Sequence, residues 1–564
     1  KNTPYPILDD RIRETYATQS KVTNIRALYD SYIRAIRWAS DRIDNAGVIG
    51  FVTNGSFLDA NSMTGLRKCF VKEFSSIYVL NLRGDIRKNM TNKENSQEGQ
   101  NIFGSGSMTG IAVTLFIKNP NTSGECKIYY HDIGDNLTTK DKLITIERLG
   151  SVSGITNKSS WRMIIPNEHD DWINQRDNSF ANFLTLGDKK GNNKKKENNK
   201  KLFEIYSCGL KTNRDVWAYN SSRECLVKNM RNMIAFYNSE VERFNDVYSH
   251  ANRKTRVKTV NDFVNTDEKK ISWSSSLKEE LVRGQFSEFE SDCLIQSLYR
   301  PFTQQWLYYN RIFNERVYQM PRIFPIGKAV ENRVIHVTGI GASNFSVLMN
   351  TDIPSLDSIE KCQCFPRYIY EDTESLKNKN EKQSHLFTYS TEANTTAGLQ
   401  KRDAITDEGL AHFKDAYPSE TITKDDLFYY VYGLLHSEDY RTRYAHNLCK
   451  ELPRIPCVKS TDDFWKFVTA GRELGHLHVN YKDVEPYPVT FKKGNPKLTD
   501  ISNSEKLYYV TEMKFAKIKN SKEKDKSTVI YNSNITITDI PLEAYEYIVN
   551  GKPALEWVMG RQCV

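Results

Sequence analysis

An α/β fold is predicted for the first part of this chain, and three observations predict it. Over residues 28–43 apolar side chains recur three or four apart (Leu28, Tyr32, Ile36, Ala39, Ile43), the stripe of an amphipathic helix, which leaves Arg34, Arg37 and Asp41 on its wet side. Val48-Ile49-Gly50-Phe51-Val52-Thr53 follows as a short, nearly all-apolar run, the pattern of a strand buried on both faces. The alternation then repeats, with Leu66, Cys69 and Phe70 on the inner side of a second helix and a second strand over residues 77–82. Helix, buried strand, helix, strand at this spacing implies part of an open α/β sheet of parallel strands, in which ligands bind at the strand carboxyl ends. Asn54-Gly55-Ser56 lies at such an end.

Further along, residues 83–100 are charged, Asn-rich and without periodicity, which predicts a loop. Phe103 to Gly110, FGSGSMTG, has the glycines of a phosphate cradle but lacks the Gly-Lys-Ser/Thr ending and runs into a strand over residues 111–117, so a nucleotide site is excluded there. Residues 126–130 read as one more strand. From 161 to 201 the chain turns polar and ends in a lysine run (Lys189, Lys190, Lys194, Lys195, Lys196, Lys200, Lys201), which marks a domain boundary or large insertion. Such a run is either a solvated loop or a phosphate contact. Residues 209–217 form a compact polar turn, residues 223–298 a long helical pattern, and residues 299–325 a segment dense in aromatics and arginines. A strand at 334–338, a helix at 424–436 and a Pro-bounded turn at 452–456 continue a mixed α and β texture, with no internal repeat.

At 564 residues the chain has room for two to four domains. With 39% hydrophobic and 12% aromatic residues it is globular, and no apolar run approaches a membrane span, so a cytoplasmic protein is expected. Ten scattered cysteines suit a reducing compartment; Cys362-x-Cys364 is the only close pair, and with His476-x-His478 far downstream as its sole complement no metal site is predicted. The net charge of +9 and pI near 8.8 permit a polyanionic partner without demanding one. A chain that opens on Lys1 and is almost at once inside a sheet looks cut, and Glu556-Trp557-Val558-Met559 gives the same impression at the other end.

No spacing of carboxylates, histidines or serines singles out a catalytic constellation. The ordered segments LYDSYIRAIRWASDRI, GVIGFVTNGSFL, LRKCF, YVLNLRG and FGSGSMTGIAVTLFIKNP do, however, resemble the part of an adenine-specific DNA methyltransferase domain that follows its Asn-Pro-Pro-Tyr motif. The match is to the type ISP (single-polypeptide type I) restriction-modification enzymes, and GLKTNRDVWAYN, YRPFTQQWLYYNR, VYQMPRIFP, VTGIGASNFS, QCFPRYIY, YYVYGLLHSEDYRTRYAHNL and LPRIP resemble the rest of that family's methyltransferase and target-recognition region. The resemblance implies a partial methyltransferase-like (Rossmann-type) sheet over residues 1–165, a linker and helical connector over 166–295, and a mixed α+β target-recognition domain over 296–564.

It also implies double-stranded DNA as partner and S-adenosylmethionine as cofactor of the complete enzyme, with no metal. The donor-binding loop, the Asn-Pro-Pro-Tyr motif and the family's nuclease and helicase domains precede the matched segments and are not among these residues, so the chain alone is expected to be inactive. By resemblance the flipped adenine stacks on an aromatic at the end of the 111–117 strand, where Phe116 stands; a buried strand residue is the competing reading. Asn54 and Ser56 line the same cleft or form a plain turn. Lys211, Thr212, Asn213 and Arg214 grip phosphates or make a surface turn. Tyr299, Arg300, Phe302 and Trp306 contact DNA or form an aromatic cluster that closes a domain. Two rivals remain: a DNA-binding specificity module without catalysis, and an RNA-binding or RNA-modifying protein.

Overall fold

The computed structural model describes residues 3–561 apart from 21, 23–24, 92–96, 159–160, 189–199, 343, 373–394, 397, 495–506 and 522. Its chain divides into two units, Lys1–Asn182 with Thr442–Glu451, and Phe183–Arg441 with Leu452–Val564. The division falls inside the expected connector, most of which lies in the second unit.

The first unit is built on α1 (Ser31–Ser40), β1 (Gly47–Asn54), α2 (Thr64–Glu73), β2 (Ser76–Arg83), β3 (Ile111–Lys118), β4 (Lys127–Asp132), α3 (Thr139–Leu149) and β5 (Arg162–Ile164). Helices and strands fall where the periodicity places them, but the sheet is mixed rather than parallel. Its order is β1-β3-β2-β4-β5, with β3 antiparallel to both β1 and β2, and only β2 and β4 parallel. The chain leaves β2, passes through the glycine turn and re-enters the sheet in the opposite sense, where the Gly55 N–H donates to the Gly110 carbonyl at 2.8 Å.

The expectation that β1 is buried on both faces fails as well, because its outer face is left uncovered among the described residues. Ile49 and Phe51 pack on the core, while Val48 is 64% and Val52 57% exposed. On the inner face Phe57, Leu66, Phe70, Phe74, Ile77, Val79, Phe116 and Trp172 make one buried cluster. Arg34 and Arg37, expected in water, are buried with Ile33 and Ile36. Each is neutralised there: Arg34 makes a bidentate pair with Asp9 at 2.7 and 2.9 Å, and Arg37 reaches Glu73 and Asp41, both at 2.7 Å.

The second unit adds β6 (Tyr219–Asn220), α4 (Arg223–Tyr248), α5 (Arg253–Phe263), α6 (Ser275–Val282), β7 (Leu294–Arg300), β8 (Thr303–Tyr308), β9 (Val334–Val337), β10 (Val347–Asn350), β11 (Ile353–Pro354), β12 (Gln363–Pro366), α7 (Lys424–His436) and α8 (Thr461–Val479). The helices of the expected helical stretch end at Val282, and residues 294–300 form a strand instead. Helices α4 to α6 start on side-chain caps from Ser222, Asn252 and Ser274, and share a core of Met230, Met233, Tyr237, Phe244, Val260, Leu277 and Leu281. One four-stranded sheet runs β11-β7-β8-β6, and another β10-β9-β12 followed by Ser207–Cys208. Helix α7 begins with the Thr423/Asp426 capping box and ends at His436, as its sequence predicts. Among the described residues no helix is long and apolar enough to cross a membrane.

Candidate nucleic-acid interface

In the first unit the structure separates residues that the sequence grouped. Phe116 has no exposed surface; its ring lies 4.8 Å from that of Phe70 and 5.0 Å from that of Phe74, which favours the buried-strand reading of the two. The cause is strand parity. Phe116 pairs with Ile49 and Ile77, whose side chains point into the same core. Asn54 and Ser56 do stand at the carboxyl end of β1, where the Asn54 Oδ1 accepts from the Ser56 N–H at 2.8 Å and the Ser56 hydroxyl at 2.6 Å. The Asn54 acceptor is therefore spent on capping a turn.

Beside that turn lies an aromatic that the sequence reading passed over. Phe103 is 60% exposed at the start of the glycine segment, next to Met108 at 44%. The buried Asn101 fixes it: its Oδ1 accepts from the Phe103 N–H at 3.0 Å, while its Nδ2 donates to the Gly84 and Thr109 carbonyls. The only signal for Phe103 in the sequence was its place just ahead of glycines at a strand end.

In the second unit the Lys211-Thr212-Asn213-Arg214 turn is held from within. The Thr212 hydroxyl donates to Asp215, and the buried Arg214 guanidinium donates to the Ser272 and Phe313 carbonyls and to the Ser274 hydroxyl. Burial lowers the Arg214 pKa to about 10, with the Glu315 carboxylate acting against it. Of the two readings of this turn, the internal partners of Thr212 and Arg214 favour the structural one. Lys211 is paired through its backbone with Arg316, and Asn213 alone of the four is exposed, in a left-handed conformation (φ 58°).

The aromatic-arginine segment behaves largely as a domain-closing cluster. Tyr299 packs on Tyr219 at 4.8 Å, donates to Asp215, and carries the Arg300 guanidinium 4.0 Å above its ring. Phe302, with φ 55°, turns β7 into β8 and meets Tyr481 at 5.5 Å. Trp306 lies in β8 beneath Arg223, at 5.7 Å. Arg300, Phe302 and Trp306 remain half-buried. Lys189, Lys190, Lys194, Lys195 and Lys196 lie outside the described residues, and Lys201 donates to the Glu204 carbonyl. Cys362 and Cys364 are buried neighbours, their sulfurs 3.3 Å apart.

Residues 201–564 match the family model of the Type ISP C-terminal specificity domain. The chain belongs to the Type ISP restriction-modification family. All of it aligns with a nuclease-deletion mutant of the Type ISP enzyme LlaGI in complex with a DNA substrate mimic, at 37% identity and a TM-score of 0.80. It aligns as fully with the ATP-dependent Type ISP enzyme LlaBIII bound to DNA (34%, 0.79) and with a DrdV–DNA complex (30%, 0.79). The chain spans 46%, 32% and 50% of those three chains. No curated protein matches it. Within the Type ISP frame, Lys211 to Trp306 fall in the specificity domain, whereas Asn54, Ser56, Phe103 and Phe116 precede it.

Proposed function

We propose that the chain is the carboxyl-terminal portion of a Type ISP enzyme that reads a specific duplex DNA site and takes part in adenine-N6 methylation by S-adenosylmethionine. The observation that carries DNA as partner is the full-length match to three relatives described with DNA bound. In this reading the first unit is the distal half of the methyltransferase fold. Its β1 presents an unpaired edge and an outer face with exposed Val48 and Val52, a surface suited to a preceding half of the same polypeptide.

The residues present do not fit the methyl donor by themselves. At the sheet's carboxyl ends Asn54 is engaged by Ser56, Arg83 is paired with Asp132 and Asp135, and the Gly104–Gly106 turn runs into a strand. Donor binding is therefore assigned to the preceding part, and no step of methyl transfer is derived from this chain. What the chain offers the target base is Phe103, an exposed ring on a pinned loop, where stacking contributes about 1–3 kcal/mol.

Titration of a labelled duplex at two salt concentrations tests the partner. Binding that falls steeply with salt is expected; equal, weak binding at both, or a preference for RNA, overturns the reading. Calorimetry tests the division of labour: this chain should take up no S-adenosylmethionine, and micromolar donor binding would refute that assignment.

A further inference from the structure

Helix α5 has a charge distribution that its own stability does not explain. Arg253, Lys254, Arg256 and Lys258 fill four of its first six positions, and its first turn holds no acidic residue. The amino-terminal end of a helix is its positive end, so the cations of the first turn are unfavourable there, where carboxylates would stabilise. Of the four, only Arg256 works inside the fold. Its guanidinium donates to the Val282 and Tyr248 carbonyls, both at 2.9 Å, and to the Asn245 Oδ1 at 2.6 Å, and it lies 4.8 Å over the Phe244 ring.

Arg253, Lys254 and Lys258 are exposed, and among the described residues none of them has an ion pair. On and beside the neighbouring helices the arginines are engaged: Arg243 with Glu240 at 2.7 Å, Arg283 just after α6 with Glu280 at 2.6 Å, and Arg223 and Arg231 over the Trp306 and Phe289 rings. Lys254 and Lys258 stand one turn apart on one side of α5. Across the α5–α6 cleft, which Glu279 also lines, Lys278 donates to the Asn261 amide oxygen at 2.9 Å. Local positive charge is thus left open to solvent on a helix that pays for it in dipole energy.

We infer that this face of α5 seats the sugar-phosphate backbone of duplex DNA and supplies affinity without reading sequence. The inference rests on the DNA-binding reading above and adds to it where the backbone is held. Flexible lysines and an arginine at a helix surface match phosphates through charge, and nothing rigid or planar in the patch is fixed to read a base edge. Each phosphate neutralised releases counterions, with a slope of about 0.9 in log affinity against log salt.

The test uses the whole chain carrying R253Q, K254Q and K258Q together, with R253K/K254R/K258R as the charge-retaining control. Affinity for a panel of duplexes of differing sequence is measured at two salt concentrations fourfold apart. The glutamine variant should flatten the salt slope by up to about 2.7, so that the affinity ratio between the two salts shrinks by as much as about 40-fold. Affinity at low salt should fall to the same extent on every duplex, and the control should keep the original slope. An unchanged slope, a changed preference among the duplexes, or an effect seen only with single-stranded RNA overturns the inference. If the unsubstituted chain binds no duplex at either salt, the DNA-binding reading itself has failed, a result distinguishable from all of these.

Discussion

Two phenylalanines, Phe103 ahead of β3 and Phe116 near its far end, carry opposite expectations. Phe116 is wedged among Phe70 and Phe74 with no surface exposed, so Phe116→Ala should cost about 3–5 kcal/mol and lower the melting temperature of the first unit. Phe103→Ala should melt normally, since its ring is largely in water, yet slow methylation in the assembled enzyme with site preference kept. Thermal melting beside single-turnover methylation separates them, and an early-melting Phe103 variant would return that ring to the core. Sequence could not choose between the two, because strand parity depends on which face carries helices. Three histidines of the second unit were equally silent. His336 is fully buried with the Asn350 amide as a polar neighbour, His436 gives its Nδ1 to the Tyr432 carbonyl, and His478 meets the Tyr432 hydroxyl through Nδ1. Burial, the mutual repulsion of the rings and the nearby Arg441 depress their pKa values to about 4, 4 and 3, with the amide of Asn350 opposing only weakly at His336. Unfolded histidines, near 6.5, take up protons that the native ones refuse, so stability is full above about pH 6.5 and falls as pH drops toward 4. Denaturant midpoints across that range should show the loss, and His336→Phe should reduce its slope.

At the scale of elements, the existence of helices and strands was legible and their partners were not. The 424–436 helix is marked by its Thr423/Asp426 box and its run of apolar and aromatic residues, and needs nothing distant to be found. Strand β1 was equally visible, but its antiparallel pairing with β3 is set by residues 57 positions and more away, and its open outer face by what packs on the sheet, and no local pattern encodes either. The α7–α8 crossing is the same kind of feature. A Cβ on Gly433 would come 2.2 Å from the Phe467 carbonyl oxygen, and one on Gly471 2.0 Å from that of Tyr429, so the two helices touch backbone to backbone. Gly471→Ala removes a glycine from a helix, which on propensity alone should stabilise by about 1 kcal/mol. Overpacking should win, with a net loss of about 1–3 kcal/mol in chemical denaturation; a variant as stable as the parent would show that the helices can slide apart.

For the whole molecule, the first unit is completed by a segment from far downstream. The short helix Ala445–Lys450 belongs to it, and its polar groups meet partners in the 171–177 turn. The Asn447 amide accepts from the Asp177 N–H at 2.9 Å and donates to the Asp177 carbonyl at 3.2 Å. The Lys450 ammonium donates to the Asn174 carbonyl at 2.8 Å and pairs with Asp59 at 2.9 Å and with Asp171 at 3.3 Å. Asp171 is wholly buried; burial alone would raise its pKa, but the Arg176 hydrogen bond and the Lys450 charge hold it below the usual carboxylate range. Tyr444 adds its ring, 5.0 Å from that of Phe180. A fragment ending at Asn182 keeps every strand of the first sheet yet strands these groups, each buried polar group left unpaired costing about 1–3 kcal/mol. That fragment should unfold at lower denaturant than residues 1–182 joined through a flexible linker to 442–451. Lys450→Met in the joined form should recover only part of the difference, because the Asn447 and Tyr444 contacts persist while the Asp171 charge loses one of its cations. Equal midpoints for the short and the joined fragments would mean that the returning helix is carried by the first unit and does not support it.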